Sequence, residues 1–174
     1  MDKLFLAAIK EETNGLEYFN HVGVGKINAT YNTLKLINIH KPKLIINYGT
    51  AGAINTKLKG MVECTKFYQR DMDVRGLDFE LGETPFDKIK EIITSKDGYS
   101  CGTGDSFVNK KIEMEVDVVY MEAYAIAKVC KLENIEFKCF KYMSDNADEN
   151  AENDWGKNLA KGATAFASLI STQF

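Results

Sequence analysis

Three carboxylates stand where an α/β chain would place its chemistry. Glu122 lies inside the apolar run Val118 to Ala127, and Ala123, Ile126, Ala127 and Cys130 follow it at helical spacing. A short strand should therefore give way at Glu122 to a buried helix. Asp145 ends a second apolar run, Phe137 to Met143, which reads as an inner strand. Glu11 and Glu12 follow directly on the strand-like run Leu4 to Ile9. Open α/β sheets bind ligands outside the carboxyl ends of their strands, which is where these acids fall. A protonated acid there can donate to a leaving group, and ionised ones can activate water or stabilise developing positive charge. Each also has a plainer reading: Glu122 caps its helix, Asp145 opens a turn, and the Glu11-Glu12 pair is a solvated turn. The spacing does not separate the alternatives for Glu122 and Asp145. For Glu11 the solvated turn is preferred, and Glu12 stays open.

The elements that must position these acids alternate between strands and helices. Gly23-Val24-Gly25-Lys26 precedes helical periodicity through Leu34, Leu36 and Ile37. This is neither a dinucleotide fingerprint, since Asn28 stands at the third glycine, nor a P-loop, since Asn20 and Ile27 fail at its two ends. Lys43 to Tyr48 reads as an inner strand that ends in the Gly-rich turn Gly49 to Ala53. Met61 to Phe67 is strand-like, and Gln69 through Pro85 reads as a long loop with some function. Phe86 to Thr94 has the pattern of an amphipathic helix, and Tyr99 to Thr103 that of a short strand. The backbone N–H groups of the Gly49 to Ala53 turn could meet a sugar or an anion, or simply turn the chain; Gly102 to Val108 is a third Gly-rich turn, carrying an aromatic. Base rates place its Phe107 in the core sooner than on a stacking platform. Asn153 to Phe174 reads as a helix with alanine packing and Trp155 near its start. With no repeat and no linker, residues 1–174 read as a single α/β domain with a central mixed sheet flanked by helices.

Composition narrows the function. The 174 residues carry 22 Lys+Arg against 25 Asp+Glu, a net charge of −3. That balance argues against a nucleic-acid partner, because binding the phosphate backbone needs a basic face. Cys64, Cys101, Cys130 and Cys139 form no CxxC pair and have no His at ligand spacing, so no metal is expected, and the three that lie in apolar stretches read as small core residues. No apolar run approaches a membrane span and no leader pattern opens the chain, so a cytoplasmic location without membrane partners is expected.

Taken in order, five blocks resemble the nucleoside phosphorylase and nucleosidase superfamily, and within it the 5'-methylthioadenosine/S-adenosylhomocysteine nucleosidases. The blocks are Ala8-Ile9-Lys10-Glu11-Glu12, Gly23-Val24-Gly25-Lys26, Asn47-Tyr48-Gly49-Thr50-Ala51-Gly52, Gly104-Asp105-Ser106-Phe107, and Met121-Glu122-Ala123 with Ser144-Asp145. The resemblance implies a nucleoside phosphorylase-like fold and cleavage of a purine nucleoside at its N-glycosidic bond. It implies that Asp145 protonates the purine at N7, that Glu12 activates water at the anomeric carbon, and that Glu122 holds the ribose hydroxyls. Met121 would pack on the sugar, Phe107 would stack on the base, and the backbone of Val108 would read the base edge. Ile9, Val24 and Trp155 would line the sugar and 5' pocket, and Thr50, Gly52 and Ser144 belong to the matching substrate-binding blocks. Leu77 and Pro85 match residues that reach into a partner subunit's site, which implies a homodimer. No metal or organic cofactor is implied.

The resemblance also leaves choices. Phosphorylases of this superfamily carry an Arg in the strand before the Gly-Thr/Ser turn, and here that strand reads Leu44-Ile45-Ile46-Asn47-Tyr48. Water is therefore the expected nucleophile, while Arg70 and Arg75 offer phosphate contacts for the alternative. The chain is shorter than its relatives between Gly15 and Val22 and again between Pro85 and Asp97. Lys141 stands where the family has Arg, and the Gln69-Arg70-Asp71-Met72-Asp73 run is unlike the best-known nucleosidases. A clipped pocket could accept adenosine or another purine nucleoside, and a binding paralogue that has lost turnover is the third reading.

Overall fold

The computed structural model describes residues 2–173. Its strands are β1 (Lys3–Ala7), β2 (Phe19–His21), β3 (Leu44–Ala53), β4 (Met61–Gln69), β5 (Ile92–Ile93), β6 (Tyr99–Thr103), β7 (Val118–Tyr120) and β8 (Glu136–Asp145). The helices are α1 (Lys10–Thr13), α2 (Lys26–His40), α3 (Ala123–Leu132) and α4 (Ala151–Gln173). All strands join one mixed sheet in the order β2-β1-β3-β7-β6-β4-β5, and β8 pairs with both β3 and β4. That double pairing closes β3, β7, β6, β4 and β8 into a ring, with β1 and β2 continuing the sheet from β3.

The pattern of burial explains the elements. β3 and β8 lie parallel along almost their whole lengths, Leu44 opposite Glu136 and Met143 opposite Ala51. Both are buried nearly throughout, as strands covered on both sides must be. α3 packs on β6 and β8 and against α2, whereas α4 lies on β8 and β3 beside α1. Under α4, Phe166 is fully buried and meets Tyr48 at 4.6 Å, Phe19 at 5.4 Å and Phe140 at 6.2 Å between ring centres. Burying a side chain of that size is worth roughly 1.5–3 kcal/mol. All four cysteines are buried thiols.

The expected mixed α/β architecture is present, and several of its expected boundaries are not. Gly49 to Ala53 is no turn: β3 runs on through it to Ala53, with a register shift between Ala51 and Gly52. Glycine serves close approach there, since a Cβ on Gly49 would collide with the Tyr120 hydroxyl and one on Gly52 would lie 2.9 Å from Asp145 Oδ1. Phe86 to Thr94 does not form a helix. Phe86 has φ +61° and is 96% exposed, the Asp87 carboxylate accepts the Ile89 N–H, and the segment ends as β5. A local side-chain bond of this kind competes with helical pairing, and Ile89 and Ile92 reach the core from an irregular segment while Phe86 stays in solvent. β1 stops at Ala7, so Ile9 and the acids after it belong to the entry and first turn of α1. β2 is a three-residue strand that the hydrophobic pattern did not announce. The last helix begins at Ala151, earlier than expected, and the expected end at Phe174 lies outside the described residues. Among the described residues no helix is long and apolar enough to cross a membrane.

Candidate active site

At the carboxyl ends of β1, β3, β6, β7 and β8 lies a cleft of about 240 Å³. Its floor is made by two acids withdrawn from water. Glu12 reaches it because α1 turns the chain directly after β1, leaving Glu11 in solvent and Glu12 only 2% exposed. Glu12 Oε1 accepts hydrogen bonds from the Thr50 N–H and hydroxyl, both at 2.8 Å, and Trp155 Nε1 donates to that hydroxyl oxygen at 2.9 Å. Glu12 Oε2 is buried with no partner. Burial pushes the Glu12 carboxyl above the usual carboxylate range, against the opposing pull of Thr50 and the Lys141 charge.

Glu122 occupies the N-cap position of α3, but its side chain makes no capping bond. It crosses instead to α2, where Oε1 accepts the Gly25 N–H at 2.7 Å. The Gly-Lys turn thus does gather an anion at a helix N-terminus, and the anion is the chain's own carboxylate. Burial, and then the nearby Glu12 charge, raise the Glu122 carboxyl to about 7, while the Gly25 amide, Lys141 and Tyr120 pull it down. One cation serves both acids. Lys141 is fully buried, donates to Asn47 Oδ1 at 2.7 Å and stands 3.3 Å from the centre of the Tyr120 ring.

Asp145 ends β8 beside the floor and is 8% exposed. The turn reading of this residue holds in part, since Oδ1 accepts the Ala147 N–H at 2.9 Å. Oδ2 accepts the Ser144 hydroxyl at 2.8 Å, and the Ser144 carbonyl is held by Asn158 from α4. Burial, aided by the charges of Asp148 and Asp154, raises the Asp145 carboxyl above its ordinary value. An acid so placed retains its proton to higher pH than a free aspartic acid, as a proton donor must.

The outer wall is the turn Gly104–Val108. Phe107 lies at the cleft and is 43% exposed, so the core reading of this ring is corrected: it has a free face. Val108 is buried against Val116, Val119 and Ala147. Two neighbouring residues at the end of β4 clamp the turn. Arg70 Nη2 donates to the Ser106 carbonyl at 2.5 Å and to the Ser106 hydroxyl at 3.1 Å. Asp71 accepts the Asp105 N–H at 2.9 Å and pairs with Lys26 Nζ at 2.5 Å. The Lys26 N–H in turn donates to Asp105 at 2.7 Å, one residue beyond the amide that holds Glu122.

Of the expected site residues, Ile9, Glu12, Val24, Thr50, Gly52, Phe107, Val108, Met121, Glu122, Asp145 and Trp155 all line this cleft. Ser144 does not line it and acts on Asp145 from beneath. Leu77 and Pro85 are also absent from the cleft of their own chain, and Leu77 is 66% exposed. Arg75 is turned to solvent in ion pairs with Asp73 and Glu113. Tyr120, Asn47 and the Lys26–Asp71–Asp105 latch were not singled out by sequence reasoning, since each looks like an ordinary strand or loop residue. Among the described residues no three His, Cys, Asp or Glu side chains are grouped to hold a metal ion.

This arrangement suits acid-assisted cleavage of a bond that leaves positive charge on one fragment: an acid of raised proton affinity at one edge, two buried acids on the floor and an aromatic face at the rim. No protein-family model matches the chain. Among solved structures it resembles futalosine hydrolase of Helicobacter pylori strain 26695, with a TM-score of 0.89 at 23% identity, covering 98% of this chain and 96% of that one. The 5'-methylthioadenosine/S-adenosylhomocysteine nucleosidase of Helicobacter pylori, solved with butyl-thio-DADMe-Immucillin-A, gives 0.89 at 24% identity over 99% and 97% of the two chains. At these identities the likeness is one of fold. In sequence, the nucleosidase of the same description from Bacillus subtilis (strain 168) is 29% identical over 85% of this chain and 76% of its own length. That from Staphylococcus aureus (strain MRSA252) is 30% identical over the same shares. On that identity and coverage, the chain belongs to the family of 5'-methylthioadenosine/S-adenosylhomocysteine nucleosidases, which are N-glycosyl hydrolases.

Proposed function

We propose that this protein hydrolyses the N-glycosidic bond of an adenine nucleoside such as 5'-methylthioadenosine or S-adenosylhomocysteine. The observation that carries the reading is the convergence of Asp145, Glu12, Glu122 and Phe107 on one cleft. The base stacks on Phe107, and Asp145 gives its proton to N7 as the glycosidic electrons move onto the purine. Glu122 and Met121 hold the sugar, whose anomeric carbon gathers positive charge. Glu12 takes a proton from the attacking water through Oε2, the oxygen left without a partner. Proton transfers of this kind contribute about 10²–10⁴-fold each.

Water is the nucleophile in this reading, and the surroundings support it over phosphate. Arg75 is committed to two carboxylates at the surface, and Arg70 spends Nη2 on the Gly104–Ser106 turn. The ionised Glu12 and Glu122 at the cleft repel a dianion. We place the protein in the cytoplasm as a homodimer acting in methionine salvage. The dimer reading is supported by Ile27, Tyr31 and Leu34, which leave a stripe of α2 exposed at 82, 66 and 38% beside Val24 at 46%.

The test is release of free base from methylthioadenosine, S-adenosylhomocysteine, adenosine, inosine and futalosine, each with and without phosphate. Phosphate-independent adenine release is the expected result. Release only with phosphate would replace hydrolysis by phosphorolysis, and tight binding without release would make the chain a binding protein.

A further inference from the structure

Leaving a buried polar atom unpaired is costly, so each such atom calls for an explanation. Two such atoms lie at the floor of the cleft, Glu12 Oε2 and the Tyr120 hydroxyl. The first has a use in the proposed reaction, and the second has none so far. Tyr120 is 7% exposed and its ring is fixed on two sides. The Lys141 ammonium stands 3.3 Å from the ring centre, itself anchored on Asn47. Gly49 presses on the hydroxyl end so closely that any side chain there would collide with it. The phenol therefore cannot swing away to find another partner.

The charged groups around it come from every neighbouring element. Glu12 arrives from α1, Glu122 from the start of α3, and Lys141 with Cys139 from β8. Glu122 is faced in addition by the Gly25 amide at the start of α2. Ionised carboxylates only accept hydrogen bonds, so a phenol placed among them serves as a donor. We propose that Tyr120 is a positioning residue of the nucleosidase reaction: its hydroxyl donates to the Glu122 carboxylate and keeps it ionised and aimed at the ribose hydroxyls. Lys141 beneath the ring and Gly49 beside it hold the phenol in register. In this structure the Tyr120 hydroxyl has no hydrogen-bond partner, and catalytic contacts of this kind tighten when substrate binds. The assignment rests on the nucleosidase reading and adds to it a donor on a residue outside the carboxylate set.

The experiment compares pH profiles of kcat, which report the substrate complex, for the wild type, Tyr120→Phe, and the protein carrying 3-fluorotyrosine at position 120. Phenylalanine keeps the ring and its contact with Lys141 but removes the donor, so Glu122 holds its proton to higher pH. The acidic limb should move up, costing about tenfold at pH 6 and less than about threefold at pH 8. Fluorotyrosine is a stronger donor and should move the same limb down. A purely structural tyrosine would leave both limbs in place, and the thermal midpoint of Tyr120→Phe should be unchanged or higher because an unpaired hydroxyl is gone. Coincident profiles, or limbs that move the same way in both variants, would overturn the assignment while leaving the nucleosidase reading intact. A wild type that releases no base from any nucleoside would overturn that reading first, and this assignment with it.

Discussion

The floor of the cleft and its outer wall solve different problems with the same residue types. On the floor, Glu12, Glu122 and Lys141 are almost wholly withdrawn from water. There burial sets proton affinity, and both acids are held above their ordinary range. On the outer wall, Lys26, Asp71 and Asp105 remain partly exposed, with side-chain exposures of 20, 29 and 44%. Solvent screens charges there, and although burial is the largest single influence on Asp71 and would raise it, Lys26 and the Asp105 amide together outweigh it and hold Asp71 below its ordinary value. Carboxylates therefore act as chemical groups where water is excluded and as fasteners where it is not. In the proposed reaction the floor carries the chemistry, and the wall fixes where the aromatic face of Phe107 stands relative to it.

Asp145, at the junction of the two, is the most damaging place to break the comparison. Asp145→Asn removes the proton donor while keeping an acceptor for Ser144, and should lower kcat about 10²–10⁴-fold with little change in nucleoside affinity. Single-turnover base release beside equilibrium binding checks this, and equal loss of both would remove Asp145 from its role.

Glu122→Gln sharpens the claim that burial governs the floor. The folded protein binds the Glu122 proton more tightly than the unfolded chain does, about 7 against 4.5. A raised carboxyl makes stability fall as pH rises from 4.5 to about 7, because ionisation is penalised only in the folded state. An uncharged glutamine escapes that penalty. The variant should match the wild type near pH 4 and gain on the order of 2 kcal/mol by pH 8, although catalysis suffers. Urea unfolding at the two pH values checks the sign, and a larger gain at low pH would contradict it.

The wall should respond differently. Asp71→Asn breaks the pair with Lys26 and loosens the turn that carries Phe107. It should raise KM about tenfold with kcat within about twofold, and stability should fall by less than about 1 kcal/mol because the pair is partly solvated. A fall in kcat with KM unchanged would show that the latch serves the floor. Arg75→Ala marks the lower limit, since its ion pairs lie at the surface away from the cleft. Activity should stay within about twofold, with no phosphate dependence gained or lost, as initial rates with and without phosphate would show.

Much of the floor could be read from the chain because its signals are local. A lone acid inside an apolar run, or at the end of one, marks a strand end, and that reading located Glu122 and Asp145 as well as the helix that follows Glu122. Periodicity also gave β4, β6, β7 and β8 nearly to the residue. It failed at Phe86 to Thr94, where a turn beginning near Pro85 and an Asp87 side-chain bond overrode an amphipathic pattern. It failed again at Gly49 to Ala53, where glycine meant close packing and not a change of direction.

By itself, then, the sequence determined the alternation of elements, the family and the identities of the three acids, because hydrophobic spacing and motif order are properties of neighbours along a chain. Only the tertiary structure decided that Glu122 reaches Gly25 across 97 positions, that Lys141 lies beneath Tyr120, and that Asp71 fastens the Phe107 turn to α2. Those contacts join residues far apart in sequence, and proton affinity depends on the water that the assembled fold excludes.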